Sequence, residues 1–277
     1  MQLSAIRSAV SLVPVLLLSC SVSYCQNALT AGAGHFRIYQ ADKSVGDCDY
    51  RVQQTSNGYT VASDGKLILS KFSYSFTNSQ VLDGSLNLVR DELSGHINGS
   101  AVTFTAASDP SGRQFQISVS ASGKQTQNTV DRHQHLVLLP DLDPAAYLLL
   151  VRVAMDNPPT SWVLIPKEDG ILVPASVTRG STLRGQLNGS QVDVQHATIA
   201  VNSENSINIE LFYVSDGQVL EADLPQQNFA VVHDGFNLID RPKPSAPPAP
   251  AQSSAKPTSS VRQYPTPQGG YPQLQQQ

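Results

Sequence analysis

The chain is short of the residues that most often announce a chemistry. Three cysteines (Cys20, Cys25, Cys48) in 277 residues are too few for a disulfide scaffold, and with no Cys-x-x-Cys and no Cys/His cluster they give neither a zinc site nor a redox motif. There is no Gly-x-Ser-x-Gly elbow, no His-Glu-x-x-His and no phosphate-cradling glycine loop. Charged residues make up only 14% of the chain. The net charge of −4 hides an asymmetry. Residues 27–240 hold 13 Lys and Arg against all 22 Asp and Glu, whereas Arg241, Lys243, Lys256 and Arg262 follow with no acid. An acidic body without a basic stripe excludes nucleic acid as an expected partner. It serves more simply to keep the chain soluble. Metal binding, a cofactor and enzymatic activity are not expected.

Apolar runs of membrane-spanning length are also missing. The N-terminus carries one charge (Arg7), a largely apolar run from Val10 to Leu18 and small residues at Ser19, Ser21 and Ser23. That is the pattern of an export signal over residues 1–25, too short for the roughly 20 apolar residues of a spanning helix. Two ways of cutting it are open. Leu17-Leu18-Ser19-Cys20 looks like a bacterial lipobox, in which Cys20 is acylated. Ordinary cleavage after Ser23 or Cys25 competes. If Cys25 is retained, it is available to pair with Cys48 in an oxidising compartment. Membrane attachment is expected only if Cys20 is lipidated.

At the other end, residues 241–277 hold 9 of the 18 prolines among Ser, Ala, Gly and Gln. Such a segment cannot bury enough apolar surface to offset its ordering entropy, so it reads as a disordered Pro/Gln-rich tail.

The body, residues 34–240, is β in character. Eight Asn-Gly or Asp-Gly pairs begin at Asn57, Asp64, Asp83, Asn98, Asp169, Asn188, Asp216 and Asp234. These dipeptides accept the positive φ of tight hairpin turns. Between them apolar and polar residues alternate. Val102 and Phe104 share a face, as do Phe115, Ile117 and Val119, and Ile207, Ile209, Leu211 and Tyr213. One buried and one wet face is the habit of an antiparallel sheet. The repeated pattern Gly-x-x-Asn-Gly-Ser-x-Val at Gly95 and Gly185 reads as the same turn chemistry used twice, and its Asn-Gly-Ser triplets as turns rather than glycosylation sites.

One segment breaks the β pattern. Asp143 suits a helix N-cap, Pro144 the first helical position, and Asn157-Pro158-Pro159 a stop. From Ala145 to Met155, Arg152 is the one charged residue. A short helix that is apolar all round must be covered on more than one side. The expected fold is therefore mainly β: a strongly curved antiparallel sheet, a half-barrel of about a dozen strands, with one helix from Asp143 to Asp156 in its concavity.

The segments His35–Phe76, Leu136–Ala154 and Ile209–Phe236 resemble an uncharacterised family of exported bacterial domains of unknown function. That family shares a curved sheet with the periplasmic lipoprotein carrier fold. The resemblance implies a half-barrel able to cradle acyl chains; it implies no catalytic residues. Any cavity must border the helix, so Tyr147, Leu148 and Val151 are candidate ligand-binding residues. Trp162 reads as core packing or as a residue at the pocket mouth. His133-x-His135, with Asp131, is weak as a metal site, and Asp216, Glu221 and Asp223 read as a solvated face. Two functions are open: an exported envelope protein binding a lipid or other apolar molecule, or a non-enzymatic assembly module acting on an envelope protein partner.

Overall fold

The computed structural model describes residues 29–166, 170–203 and 206–241. The export signal with Cys20 and Cys25, and the tail beyond Arg241, lie outside the described residues. The chain opens with β1 (Gly32–Gln40), β2 (Lys43–Thr55), β3 (Gly58–Ile68), β4 (Ser73–Asp83), β5 (Leu88–Ile97), β6 (Ser100–Ser108), β7 (Gln114–Ala121) and β8 (Lys124–Asp131). These form one antiparallel meander. A short β9 (Leu136–Leu138) leads into helix α1 (Pro144–Asp156). Then follow β10 (Ser161–Ile165), β11 (Ile171–Arg179), β12 (Leu183–Leu187), β13 (Ser190–Val201), β14 (Ile207–Tyr213), β15 (Val219–Leu224), β16 (Phe229–His233) and β17 (Phe236–Leu238).

The two halves join through β1, which pairs with β2 on one side and β16 on the other. From β16 the ladder runs antiparallel through β15, β14, β13 and β11 to β10, and ends in the parallel β10–β9 pair. Its two outer strands are β8 and β9. Residues 132–135 connect them directly, and five chain steps reach at most about 18 Å. The edges of so long a ladder meet that limit only if the sheet curls most of the way round. It remains open, because β8 and β9 do not pair. Helix α1 lies in the hollow and touches strands from both halves: β2, β3, β9, β11, β13, β14 and β15. Among the described residues, no helix is long and apolar enough to cross a membrane.

The expected half-barrel with an enclosed helix is the observed architecture, with seventeen strands among the described residues rather than about a dozen. Part of the excess is a flap. The first residues of β13 pair with β12, and β12 with β17, as a ladder separate from the main sheet. Val194, Phe212, Leu220, Phe236 and Leu238 form a second, small apolar cluster beneath it. The outer face of β14 and β15 is therefore dry.

Helix α1 forms as its sequence dictates. The Asp143 carboxylate accepts the Ala145 N–H (2.9 Å) at the N-cap. Asn157 takes the left-handed conformation (φ 47°) at the C-cap, its N–H bonded to the Val153 carbonyl (2.8 Å). Every residue from Pro144 to Ala154 is buried.

Six of the eight Gly pairs make turns between strands, and Asp169 lies outside the described residues. Asp64-Gly65 is the exception, for it sits inside β3. Gly65 is there because of close packing: a Cβ would stand 2.7 Å from both Cys48 Cβ and the Phe76 ring. Gly65→Ala is expected to destabilise by about 1–3 kcal/mol through overpacking. Gly84→Ala, where a Cβ meets nothing within 4 Å, is expected to stay within about 0.5 kcal/mol of wild type. Urea unfolding midpoints of the two variants check this.

Candidate functional site

Phe72 after β3, Ile97 at the end of β5, Pro166 after β10, Ser203 after β13 and Gln227 after β15 gather at the end of the half-barrel where α1 begins. Two neighbouring cavities open there. One, of about 500 Å³, is lined by Leu67, Tyr74, Leu93, Phe104, Leu142 and Phe229 among others. The other, of about 680 Å³, is bordered by Leu139, Tyr147, Ile165, Val173, Ile207 and Leu224. They share Pro140, Asp141, Leu224 and Gln227, so the chain entering α1 forms the divide between them. Each falls within the roughly 300–1,000 Å³ of ordinary ligand pockets. Phe72 and Ile97 line the first cavity and are also exposed, at 37% and 39%. Ile171, on the wall of the second, is exposed as well.

The structure separates the four residues proposed as a ligand site. Tyr147 faces the larger cavity. It is almost fully buried, and its hydroxyl makes no hydrogen bond of ordinary geometry, although the Leu142 amide acts on it. Burial, followed by the charges of nearby groups, pushes its pKa well up, so it is a neutral donor. Leu148 borders a different, smaller cavity of about 170 Å³ with Leu29, Tyr50, Arg152 and Gly217. Val151 is fully buried in solid core. Trp162 lies on β10 near the far end of α1, half-buried, with its ring stacked on His133 at 4.0 Å. His133 and His135 sit in the 132–135 connection rather than on a strand.

A polar island interrupts the concave face close to the helix start. Ser63, Asn78, Gln80 and Asp91 are buried on β3, β4 and β5, with Asp143 above them. Asn78 Nδ2 donates to Asp143 Oδ2 at 2.7 Å. Burial raises the Asp143 carboxyl against the pull of its hydrogen bonds, and burial with the Asp143 charge raises Asp91 well above the ordinary carboxylate range. The sequence carried a signal for this island. In "SYSFTNSQVL" the positions in phase with Tyr74, Phe76 and Leu82 include Asn78 and Gln80, two amides on a face otherwise destined for the core.

A second charged group lies on the outer face and corrects an expectation. Glu221 is not solvated; it is 1% exposed and Asp223 is half-buried, because the flap covers this part of the sheet. Arg241 donates to Glu221 (2.5 Å) and to Asp223 (2.6 Å). Beside them His196 Nε2 lies 2.6 Å from Glu210, which also accepts the Thr198 hydroxyl (2.8 Å). Burial pushes Glu210 up, but these hydrogen bonds outweigh it and hold the carboxyl below its usual value. Among the described residues no three His, Cys, Asp or Glu side chains are grouped as metal ligands.

No family model and no curated protein matches the chain. Solved structures do. A beta-barrel-like protein of the domain of unknown function DUF1849 from Brucella abortus is 12% identical; the match covers 77% of this chain and 99% of that one, with a TM-score of 0.50. A DUF1089 family protein from Pseudomonas aeruginosa is 11% identical over 67% of this chain and 91% of that one, at a TM-score of 0.42. An exported protein with a YmcC-like fold from Bacteroides fragilis is 7% identical over 76% and 97%, at 0.26. The Brucella likeness is one of fold, and it bears out the expected similarity to a curved β domain of unknown function.

Glu221 gives the outer-face charged group a pH dependence. Burial first, then the charge of Asp223, push its pKa from 4.5 to about 8 despite Arg241. An acid whose folded pKa is raised keeps its proton after the unfolded chain has lost it. Its contribution is therefore whole below about pH 4.5 and is lost as pH rises toward 8. Across that window, stability is expected to fall with a slope approaching about 1.4 kcal/mol per pH unit from this group. Glu221→Gln should flatten that slope in denaturant titrations run at stepped pH.

Proposed function

We propose that this chain is an exported envelope protein that holds a lipid or other apolar molecule in the paired cavities at the N-terminal end of α1. The carrying observation is the cavity pair itself: an apolar lining that continues outward onto exposed Phe72 and Ile97. A long-chain molecule entering there meets apolar surface at every depth. The neutral Tyr147 hydroxyl, short of a partner, is the group that fixes a polar end. Export rests on the N-terminal signal pattern, and membrane attachment on acylation of Cys20. We read the role as binding rather than catalysis, since the cavity walls are largely apolar and Asp141 is the one carboxylate lining them among the described residues.

A second reading, an assembly module working through protein contact, is favoured by β8. This outer strand, "KQTQNTVD", is exposed along most of its length and, among the described residues, pairs with β7 as an edge strand, the kind of edge to which a further strand can be added.

Leu93→Trp tests the first reading, because the new ring projects into the 500 Å³ cavity. In protein purified from its native host, native mass spectrometry should detect a bound lipid in wild type and lose it in the variant. Unfolding stability should change little. A wild type free of any apolar ligand, with the variant destabilised by the roughly 1–3 kcal/mol of an overpacked core, would remove the binding reading.

A further inference from the structure

We propose that Ser63, Asn78, Gln80, Asp91 and Asp143 form a buried site for a hard divalent cation, calcium. The starting point is what these side chains lack. Asp91 is fully buried, and its carboxylate oxygens make no hydrogen bond of ordinary geometry, although the Asn78 amide acts on them. Gln80 is its cross-strand neighbour in the β4–β5 register, equally buried, and both ends of its amide are unpartnered. The Asn78 Oδ1 is unpartnered too, and the Ser63 hydroxyl makes no hydrogen bond of ordinary geometry, although it acts on Asp143. Six of the nine buried side-chain atoms without a partner, among the described residues, belong to these four residues. An unpaired buried polar atom costs on the order of 1–3 kcal/mol. So many together on one patch of the concave face are matched to something that sits among them.

The charge of that occupant follows from the chemistry. Asp91 and Asp143 bring two carboxyl groups to the patch, and no described Lys, Arg or His stands at salt-bridge distance from either. Asp143 is already half committed. One of its oxygens caps α1 through Ala145, and the other accepts from Asn78. The uncommitted atoms are the two Asp91 oxygens, the Gln80 and Asn78 amide oxygens and the Ser63 hydroxyl, with a second lone pair on Asp143 Oδ2. That makes about six oxygen donors, the lower end of the six to eight that calcium takes. The donor set holds no imidazole, and the neighbouring Cys48 thiol is kept protonated by burial and by the Asp143 charge. It is thus a site for a hard cation rather than for zinc or copper. Magnesium, which keeps several of its waters, fits a dry and fully buried patch less well.

A proton on Asp91 would also remove its charge. That proton could answer one acceptor only, and Gln80 and Asp91 make no hydrogen bond to one another across the strand pair, so the amide oxygens of Gln80 and Asn78 would not both be met. A central cation answers the carboxylate and the amide oxygens at once. It would also tie β3, β4 and β5 to the N-cap of α1, where the two cavities begin.

The experiment uses the full chain, unfolded and refolded either in chelator or in excess calcium chloride, and compares thermal midpoints. Metal content of never-unfolded protein is measured alongside by inductively coupled plasma mass spectrometry. Calcium about a hundredfold above its dissociation constant should raise the midpoint by roughly 5–10 °C, with magnesium giving less. Native protein should carry about one calcium per chain. Asp91→Asn should abolish the rise and the bound metal. Asp143→Asn, which keeps a competent helix cap, should weaken both. A midpoint indifferent to calcium, with Asp91→Asn as stable as wild type, would overturn the site and make Asp91 a neutral acid. A rise that persists in Asp91→Asn would overturn it equally, by placing the ion elsewhere. A magnesium response larger than that of calcium would overturn the choice of ion.

Discussion

The rest of this fold depends on one constraint: α1 has no face that tolerates water. Each Leu or Val it buries contributes about 1.5–3 kcal/mol relative to exposure, and Leu148 through Val151 are consecutive, so they point in every direction round the helix. A flat sheet covers one side of such a rod. The long ladder from β8 through β1 to β9 covers it by curling, and the four-residue link between the outer strands ties the curl shut without pairing them. The Gly pairs that turn the strands and the alternation that gives each strand one apolar face serve the same end.

The enclosure is unequal along the helix. At its C-terminal end the last carbonyls are answered: Arg179 reaches from β11 to donate to Ala154 (2.8 Å) and to Met155, and the Trp162–His133 stack lies nearby. At its N-terminal end the helix enters through Pro140–Leu142, and the space on either side of that segment is not filled. The cavities therefore lie where the covering strands outrun the helix that they cover. Among the described residues, a core made of one sheet and one short helix has no other element with which to fill that end, and this geometry, rather than any motif, creates the candidate site.

Much of the framework was legible in the sequence because it is local. Asp143, Pro144 and Asn157 mark α1 by capping chemistry, and six Gly pairs mark turns, five of them with a positive φ at the glycine. What escaped was set by distant contacts. Asp64-Gly65 has the composition of a turn but serves the packing of Phe76, which lies on another strand. Other turns formed at Ala41-Asp42 and Ser122-Gly123, where no Asn-Gly or Asp-Gly pair announced them. Glu221 alternates as a solvent-facing residue should, and is buried only because β12 and β17 fold back over it. Tyr147 was placed beside a cavity by the argument that any cavity must border the helix. Leu67, Leu93 and Phe104 were not, because the half of the sheet that outruns α1 is a matter of length in three dimensions.

The account stands on the claim that an apolar molecule occupies the N-terminal end of the hollow. The most direct measurement is the set of nuclear Overhauser contacts between a protonated long-chain fatty acid and methyl-labelled protein. The account predicts contacts to the methyls of Leu67, Leu93, Leu142 and Leu224, and none to Val151. Contacts confined to the flap cluster around Val194 and Leu220, or no contacts at all, would contradict it.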